Sequence, residues 1–416
     1  MIPGAAGSAV YLADTPCQHV IDAETLREVP THPLTLADRV AAACRERVPP
    51  DAVAERRHRT GLGVAAWLAG ELELAEHELV RAAELAALES PAVALRARVR
   101  LAYVRHRRGD HLDAITELDA CVADAATQAD RAFAHQHAGT CAYDLGDVDR
   151  ATAHFQAALR LRVAAGAERT LVEASRLALD AADACRTAIA MAEQLHRLVP
   201  AGHARARASM ASADLPRPRH FGVLIELRVP LPAGPVATPV LAGLFRYQPG
   251  IDDAVADLVA DGWLTRSANA VAATPKCLSL LENVVAVLGA VLAEAWGSPD
   301  EALARMDAVV RGAIGTSAGP VFDALATVDP SGRGAARLFE RCNALRHHRA
   351  DAHAAAWRAA GLTATSVGDA PSAVRRDVET ATNRVAARAY RPLSTVERAE
   401  RGALLGRLDG QPPVLP

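Results

Sequence analysis

Aromatic residues are scarce in this chain: Phe, Tyr and Trp together make up 4% of its 416 residues. The apolar surface must therefore come from alanine and leucine, the residues that best favour helix. A mostly helical protein packed through small side chains is expected. Lysine is nearly missing as well. Lys276 stands alone among arginines, which reads first as a bias of genome composition. The net charge is only -3, so the strongly basic footprint of a dedicated nucleic-acid binder is lacking. The seven cysteines form no CxxC pair, and several fall at apolar helix positions. Buried thiols in a reducing cytoplasm are the expectation. No basic segment followed by an apolar run opens the chain, which argues against a signal peptide. No uninterrupted apolar stretch spans a bilayer: Leu278 to Trp296 comes nearest, broken by Glu282, Asn283 and Glu294. It reads as a buried core helix.

What is present is organised. Residues 1–34 carry several prolines and glycines without a long period and read as an irregular arm. Leu36 to Val48 reads as a first helix, stopped by Pro49-Pro50. From about residue 52 a pattern repeats around Gly70, Gly109 and Gly146. Five residues after each glycine lies an alanine (Ala75, Ala114, Ala151). Nine after lies a large apolar residue (Leu79, Leu118, Phe155), and twelve after a small one (Ala82, Cys121, Ala158). Seven before lies another small residue: Gly63, Ala102, Gly139. A glycine allows a tight turn between antiparallel helices. Small residues let the helices of a hairpin approach, and the large one fills the gap to the next hairpin.

These positions resemble the tetratricopeptide (TPR) repeat. The spacing here is 39 and then 37 residues, against a usual period of about 34, so the repeats are lengthened. They run over about 56–89, 95–128 and 132–165, and a helix over 168–198 caps them. The resemblance implies an α-solenoid over 35–200 that binds a protein or peptide partner. Arg98, Arg105, His135 and Asp144 are candidate contacts.

Residues 201–219, rich in Pro, Ala, Arg and Ser, read as a linker to a second domain over 220–416. In that domain Thr238 to Tyr247 and Ile251 to Val259 read as helices separated by Gln248-Pro249-Gly250. Asp261-Gly262-Trp263-Leu264 follows, then a short hairpin over Thr265 to Ala273, and Thr274-Pro275 opens a long helix. This order resembles the winged helix-turn-helix of MarR-type regulators. The fold would place its second helix in the DNA major groove. That helix and its end carry Asp252, Asp253, Asp257 and Asp261 and no basic residue. Carboxylates repel the phosphates that supply most DNA affinity, and flanking Arg246 and Arg266 compensate too little. DNA binding is not expected.

A second resemblance covers about 220–410. Leu345-Arg346, Arg349, Asp351, His353 and Ala356, then Gly361-Leu362, with Glu379, Thr382, Asn383, Arg384 and Ala386 further on, look like an actinobacterial family. That family has a divergent MarR-like helix-turn-helix and no established activity. On a helix, Arg346, Arg349, His353 and Trp357 share one face, and His347 and Asp351 pair on the next. Such a stripe needs anionic partners when buried, which Glu379 or Asp377 would supply, with Asn383 one turn on. A salt-bridge network tying two helices, a pocket for a small anionic or polar ligand built from Arg346, Arg349, Asp351, His353, Trp357, Glu379 and Asn383, and a solvated face all remain open.

Other motifs carry less. Gly315-Thr316-Ser317-Ala318-Gly319 matches the GxSxG nucleophile elbow by letter, but a helix precedes it and Pro320 follows, where the elbow needs a strand. It reads as a helix-ending loop. No P-loop, dinucleotide fingerprint or zinc spacing is found, and no cofactor or metal is expected. The combined expectation is a mostly α protein, a TPR-like solenoid followed by a helical domain with a divergent winged-helix element. It would act as a cytoplasmic regulatory or adaptor protein with no membrane partner. An enzyme or pathway accessory protein using Arg346, Arg349, Asp351 and His353, and a ligand-responsive transcription regulator, are the alternatives.

Overall fold

The computed structural model describes residues 2–3, 11–12, 15–16, 18–213, 215–297, 300–329 and 334–408. The chain is mostly α-helical and divides into two compact units, Met1–Asp183 and Ala184–Pro416.

The first unit opens with short strands where an irregular arm was expected: β1 (Ile2–Pro3), β2 (Tyr11–Leu12), β3 (Thr15–Pro16), β4 (His19–Ile21) and β5 (Glu28–Pro30). β4 pairs antiparallel with both β1 and β5, and β2 with β3. Asp22 shapes the β4–β5 turn, because its Oδ1 accepts hydrogen bonds from the backbone N–H of Glu24 and Thr25. Helix α1 (Pro33–Ala43) starts at a proline, suited to a first helical position, and stops before the expected Val48. Arg45-Glu46-Arg47 offers that helix nothing to bury, and all three side chains are exposed.

Six helices then pair in three hairpins: α2 (Ala52–Ala69) with α3 (Leu72–Ala87), α4 (Pro91–Arg108) with α5 (His111–Asp124), and α6 (Gln128–Asp144) with α7 (Val148–Ala164). Caps set the starts of the first helices. Asp51, Ser90 and Thr127 each accept a hydrogen bond from the N–H three residues on. Gly70, Gly109 and Gly146 make the turns with φ of +87°, +110° and +78°, a region that side-chain-bearing residues rarely enter. The small and large positions read from the sequence are all buried. A Cβ placed on Gly63 would lie 2.7 Å from Leu79 Cγ, and one on Gly139 only 2.5 Å from Phe155 Cε1. The glycines are therefore sockets for the large side chain of the paired helix.

Helix α8 (Arg169–Ser212) corrects the expected boundary. The division between units falls at Asp183 and Ala184, and residues 201–212 are helix, not linker. Pro200 removes one backbone donor, yet Gly202, Ala206 and Met210 follow at a spacing of four and are buried. A Cβ on Gly202 would meet Phe339 at 2.5 Å. The apolar face continues through the proline, and the helix with it.

The second unit continues with α9 (Phe221–Glu226), α10 (Pro230–Ala233), β6 (Val236–Ala237), α11 (Thr238–Leu244) and α12 (Ile251–Ala260). β7 (Leu264–Arg266) and β8 (Ala270–Ala273) form the expected hairpin, joined by β6 in the order β6-β8-β7. Thr274 caps α13 (Pro275–Trp296) by accepting from Cys277 N–H. Helix α13 is long and apolar enough to cross a membrane, but Leu280, Leu281, Val284, Leu288 and Leu292 are buried inside the unit. Helices α14 (Asp300–Ala313), α15 (Pro320–Ala326), α16 (Ala335–Ala359), α17 (Ser372–Ala386) and α18 (Thr395–Leu408) complete it. Helix α16 packs against α13, α14, α15 and α17 and is the centre of the unit. Cys121, Cys141, Cys185, Cys277 and Cys342 are buried, Cys44 is exposed, and Cys17 lies outside the described residues.

Gly139→Ala tests the socket. Alanine gains about 1 kcal/mol of helix propensity, but Phe155 is fully buried and overpacking costs about 1–3 kcal/mol. Urea denaturation is expected to show net destabilisation, partly relieved by adding Phe155→Leu. A neutral or stabilised Gly139→Ala protein would contradict the packing.

Candidate functional site

A central helix carrying many charges must place each of them. Helix α16 sends most of its charges to different neighbours. Glu340 receives Nε and Nη2 of Arg228, which precedes α10, at 2.7 and 2.9 Å. Arg341 Nε donates to Asp307 of α14 at 2.6 Å. Arg349 pairs with Glu379 of α17. Asp351 is the most fully engaged. Its Oδ1 accepts from Arg246, and its Oδ2 from the backbone N–H of Val321 and Phe322 at 3.1 and 3.0 Å. It thus caps the first turn of α15. Ser317 Oγ lies 3.3 Å from the same oxygen, so the Gly315–Gly319 segment is the loop that Asp351 fastens.

Beside these pairs the second unit holds a cavity of about 620 Å³, within the range of small-molecule sites. Helix α8 contributes Ala188, Ala192 and Leu195 as an apolar wall, with Glu193, His196 and Arg197 beside it. Helix α16 contributes Arg346, His348, Arg349 and His353, α17 contributes Glu379, and Tyr247 and Tyr390 close the lining. Three arginines face two glutamates, so the cavity carries excess positive charge.

Arg346 differs from the other arginines of α16 that are turned inward. Its Nε donates to Asn343 at 3.2 Å, but among the described residues its two terminal nitrogens meet no hydrogen-bond or ion-pair partner. Burial lowers its pKa from the ordinary value, with Glu226 countering. The Tyr390 hydroxyl also has no hydrogen-bond partner among the described residues, and burial raises its pKa. It remains a neutral donor. His353 Nδ1 lies 3.3 Å from Tyr247 Oη.

The sequence-predicted residues therefore separate. Arg346, Arg349, His353 and Glu379 reach the cavity. Asp351 does not; its carboxylate is used by Arg246 and α15, and the expected His347–Asp351 pair does not form. Trp357 lies one turn beyond the cavity, buried with Ala354 and Val378 in a separate apolar cluster. Asn383 is off the lining, with its Oδ1 enclosed and unbonded. Arg197, His196, Tyr247 and Tyr390 were missed. The two tyrosines are conspicuous in a chain so poor in aromatics, but nothing local joins them to α16.

The acidic α12 is bound to the basic residues near it. Asp252 pairs with Arg266 at 2.9 Å, and Asp257 with Arg219 and His220 at 3.1 and 2.9 Å. Arg246 is turned inward to Asp351. Comparison with family models, curated proteins and solved structures gives no match.

Two measurements test this electrostatic arrangement. Asp351→Asn should cost about 3–5 kcal/mol in urea denaturation, because Arg246 stays enclosed without its carboxylate; a loss below about 1 kcal/mol would contradict the role. The second concerns histidines. Burial pushes His203 down to about 3, His348 down to about 4 and His347 well below its ordinary value. Each is neutral when folded, and the unfolded chain takes up protons first as pH falls. Their contribution is complete above about pH 6.5 and is lost as pH falls below it, down to about 4 for His348 and about 3 for His203, at about 1.4 kcal/mol per pH unit for each histidine. The urea midpoint should drop across that window and drop less steeply in His348→Gln; identical pH profiles would refute a buried neutral His348.

Proposed function

We propose that this chain is a regulatory or adaptor protein of the cytoplasm. Its TPR-like hairpins bind a protein or peptide partner, and its second unit, with a divergent winged-helix element, binds a small anionic ligand with an apolar body. One observation carries the ligand reading: Arg346 lines the cavity with its terminal nitrogens unpaired. A half-buried guanidinium without a paired anion has lost part of its hydration with nothing in exchange, and the Tyr390 hydroxyl on the same lining adds a neutral donor. A carboxylate or phosphate would accept from both, while its apolar part lies on Ala188, Ala192 and Leu195. Arginine suits either oxyanion because its donors form a planar fork.

The same geometry weakens the alternatives. An enzyme that used Asp351 to move a proton would need its carboxylate free, and Asp351 is held by a guanidinium and two backbone donors. A DNA-reading α12 would bring carboxylates to phosphates, with Arg266 already paired to one of them.

The test compares octanoate, octyl phosphate, octylamine and octanol by calorimetric titration of the full chain. The two acids are expected to bind and the amine and alcohol not to. Arg346→Met keeps the side chain's bulk and removes its charge; it should weaken acid binding at least tenfold, about 1.4 kcal/mol. Equal acid affinity in Arg346→Met would overturn the assignment.

A further inference from the structure

The first helices of the three hairpins, α2, α4 and α6, share a face that is already occupied. The β4–β5 turn lies on it. Tyr143 Oη of α6 donates to the backbone carbonyl of Glu24 at 3.0 Å, and Tyr103 Oη of α4 donates to Glu28 Oε2 at 3.0 Å. Arg27 Nη2 reaches Asp144 Oδ2 of α6 at 3.4 Å. Leu26, between these contacts, is 4% exposed, and β5 packs on α2. Enclosure raises the Glu28 pKa above its ordinary value.

Two features separate this turn from an ordinary part of the core. Leu26 holds φ at +56°, a left-handed conformation that costs a residue with a side chain about 1 kcal/mol or more. The contacts made at the turn are mostly polar and directed at the ends of side chains: two tyrosine hydroxyls and one carboxylate. They resemble the way a peptide is read, by a hydrogen bond to its backbone, polar contacts to its side-chain ends and a single apolar anchor, more than the interlocking of Gly139 with Phe155. The turn is also shaped by its own Asp22, which accepts from Glu24 N, Thr25 N and Thr25 Oγ1, so it arrives with its conformation set.

We propose that the α2–α4–α6 face is a peptide-binding surface occupied in cis by the Asp22–Glu28 turn. The partner it takes is a protein segment of the same chemistry: an apolar side chain flanked by an arginine and a carboxylate in a tight acidic turn. The proposal rests on the partner-binding reading of the hairpins and adds what is bound and what must leave first. The partner competes with the chain's own turn, so its apparent affinity is lowered by the fraction of molecules whose turn is docked.

The probe is a fluorescein-labelled peptide of residues 18–31, titrated by anisotropy against the full chain and against a full-length Leu26→Asp/Arg27→Glu variant. The labelled peptide should bind the variant at least tenfold more tightly than the unaltered chain. Adding Tyr103→Phe and Asp144→Asn to the variant should remove most of that gain. Equal binding to both chains would overturn the cis occupation while leaving peptide binding standing. Binding to neither, with the variant still helical by circular dichroism, would overturn the surface and the partner reading together. Hydrogen exchange on the unaltered chain supplies a second measurement should the variant misfold. The Leu26 amide is expected to exchange about a hundredfold faster than those of Tyr103 and Cys141, through local opening. Equal rates would mean the turn leaves only on global unfolding, and the proposal would fail.

Discussion

A charge removed from water has to meet an opposite charge or be neutralised, and helix α16 is the place where this constraint is felt most. Four of its charged residues, Glu340, Arg341, Arg349 and Asp351, each meet a partner on another element. Buried pairs, such as those of Glu340, Arg341 and Asp351, add little net stability compared with apolar packing, but breaking one is expensive. They therefore act as pins: the positions of α14, α15, α17 and the segment before α10 are fixed by which carboxylate meets which guanidinium. Against that background Arg346, which among the described residues meets no anion within ion-pair distance, is conspicuous. The rule that locates the pins also locates the candidate site.

The first unit obeys a different constraint. Its helices approach because glycine and alanine allow it, and Gly139 against Phe155 is the clearest instance. Aromatic residues are few, and they are spent at places where a ring or hydroxyl has a defined task. Trp67 and Tyr103 meet edge to face at 5.1 Å, and the hydroxyls of Tyr103 and Tyr143 hold the N-terminal turn. The two units thus divide the physical problem. The fit of small against large side chains is clearest in the first unit and buried ion pairing is clearest in the second, and the proposed binding surfaces follow suit: a shaped face for a peptide, a cationic cavity for an acid.

Legibility in the sequence tracked the range of the interaction. The glycine turns, the small and large positions around them, the Thr274 cap and the hairpin before it could be read because each depends on a few neighbouring residues. The end of the first unit was misplaced because Pro200 is a strong local signal for a break, whereas Gly202, Ala206 and Met210 keep the helix through burial. Three of the four stripe residues on α16, Arg346, Arg349 and His353, reached the cavity as their spacing implied. Asp351 was drawn away by Arg246 and by the N-terminus of α15, both distant along the chain. Trp357 found an apolar cluster with Val378 that no periodicity announces.

The sequence by itself determined that the chain is mostly helical, where its hairpins turn, and that α12 carries carboxylates and no basic residue. Conformational preference, residue size and charge are properties a residue carries with it. Tertiary structure alone decided that the N-terminal segment lies on the hairpins, that α8 lends Arg197 and an apolar wall to a cavity, and that Arg346 rather than Asp351 lines that cavity. Those outcomes depend on which distant groups meet once the helices pack, because a buried charge is satisfied by proximity in space and not by its neighbours in the chain.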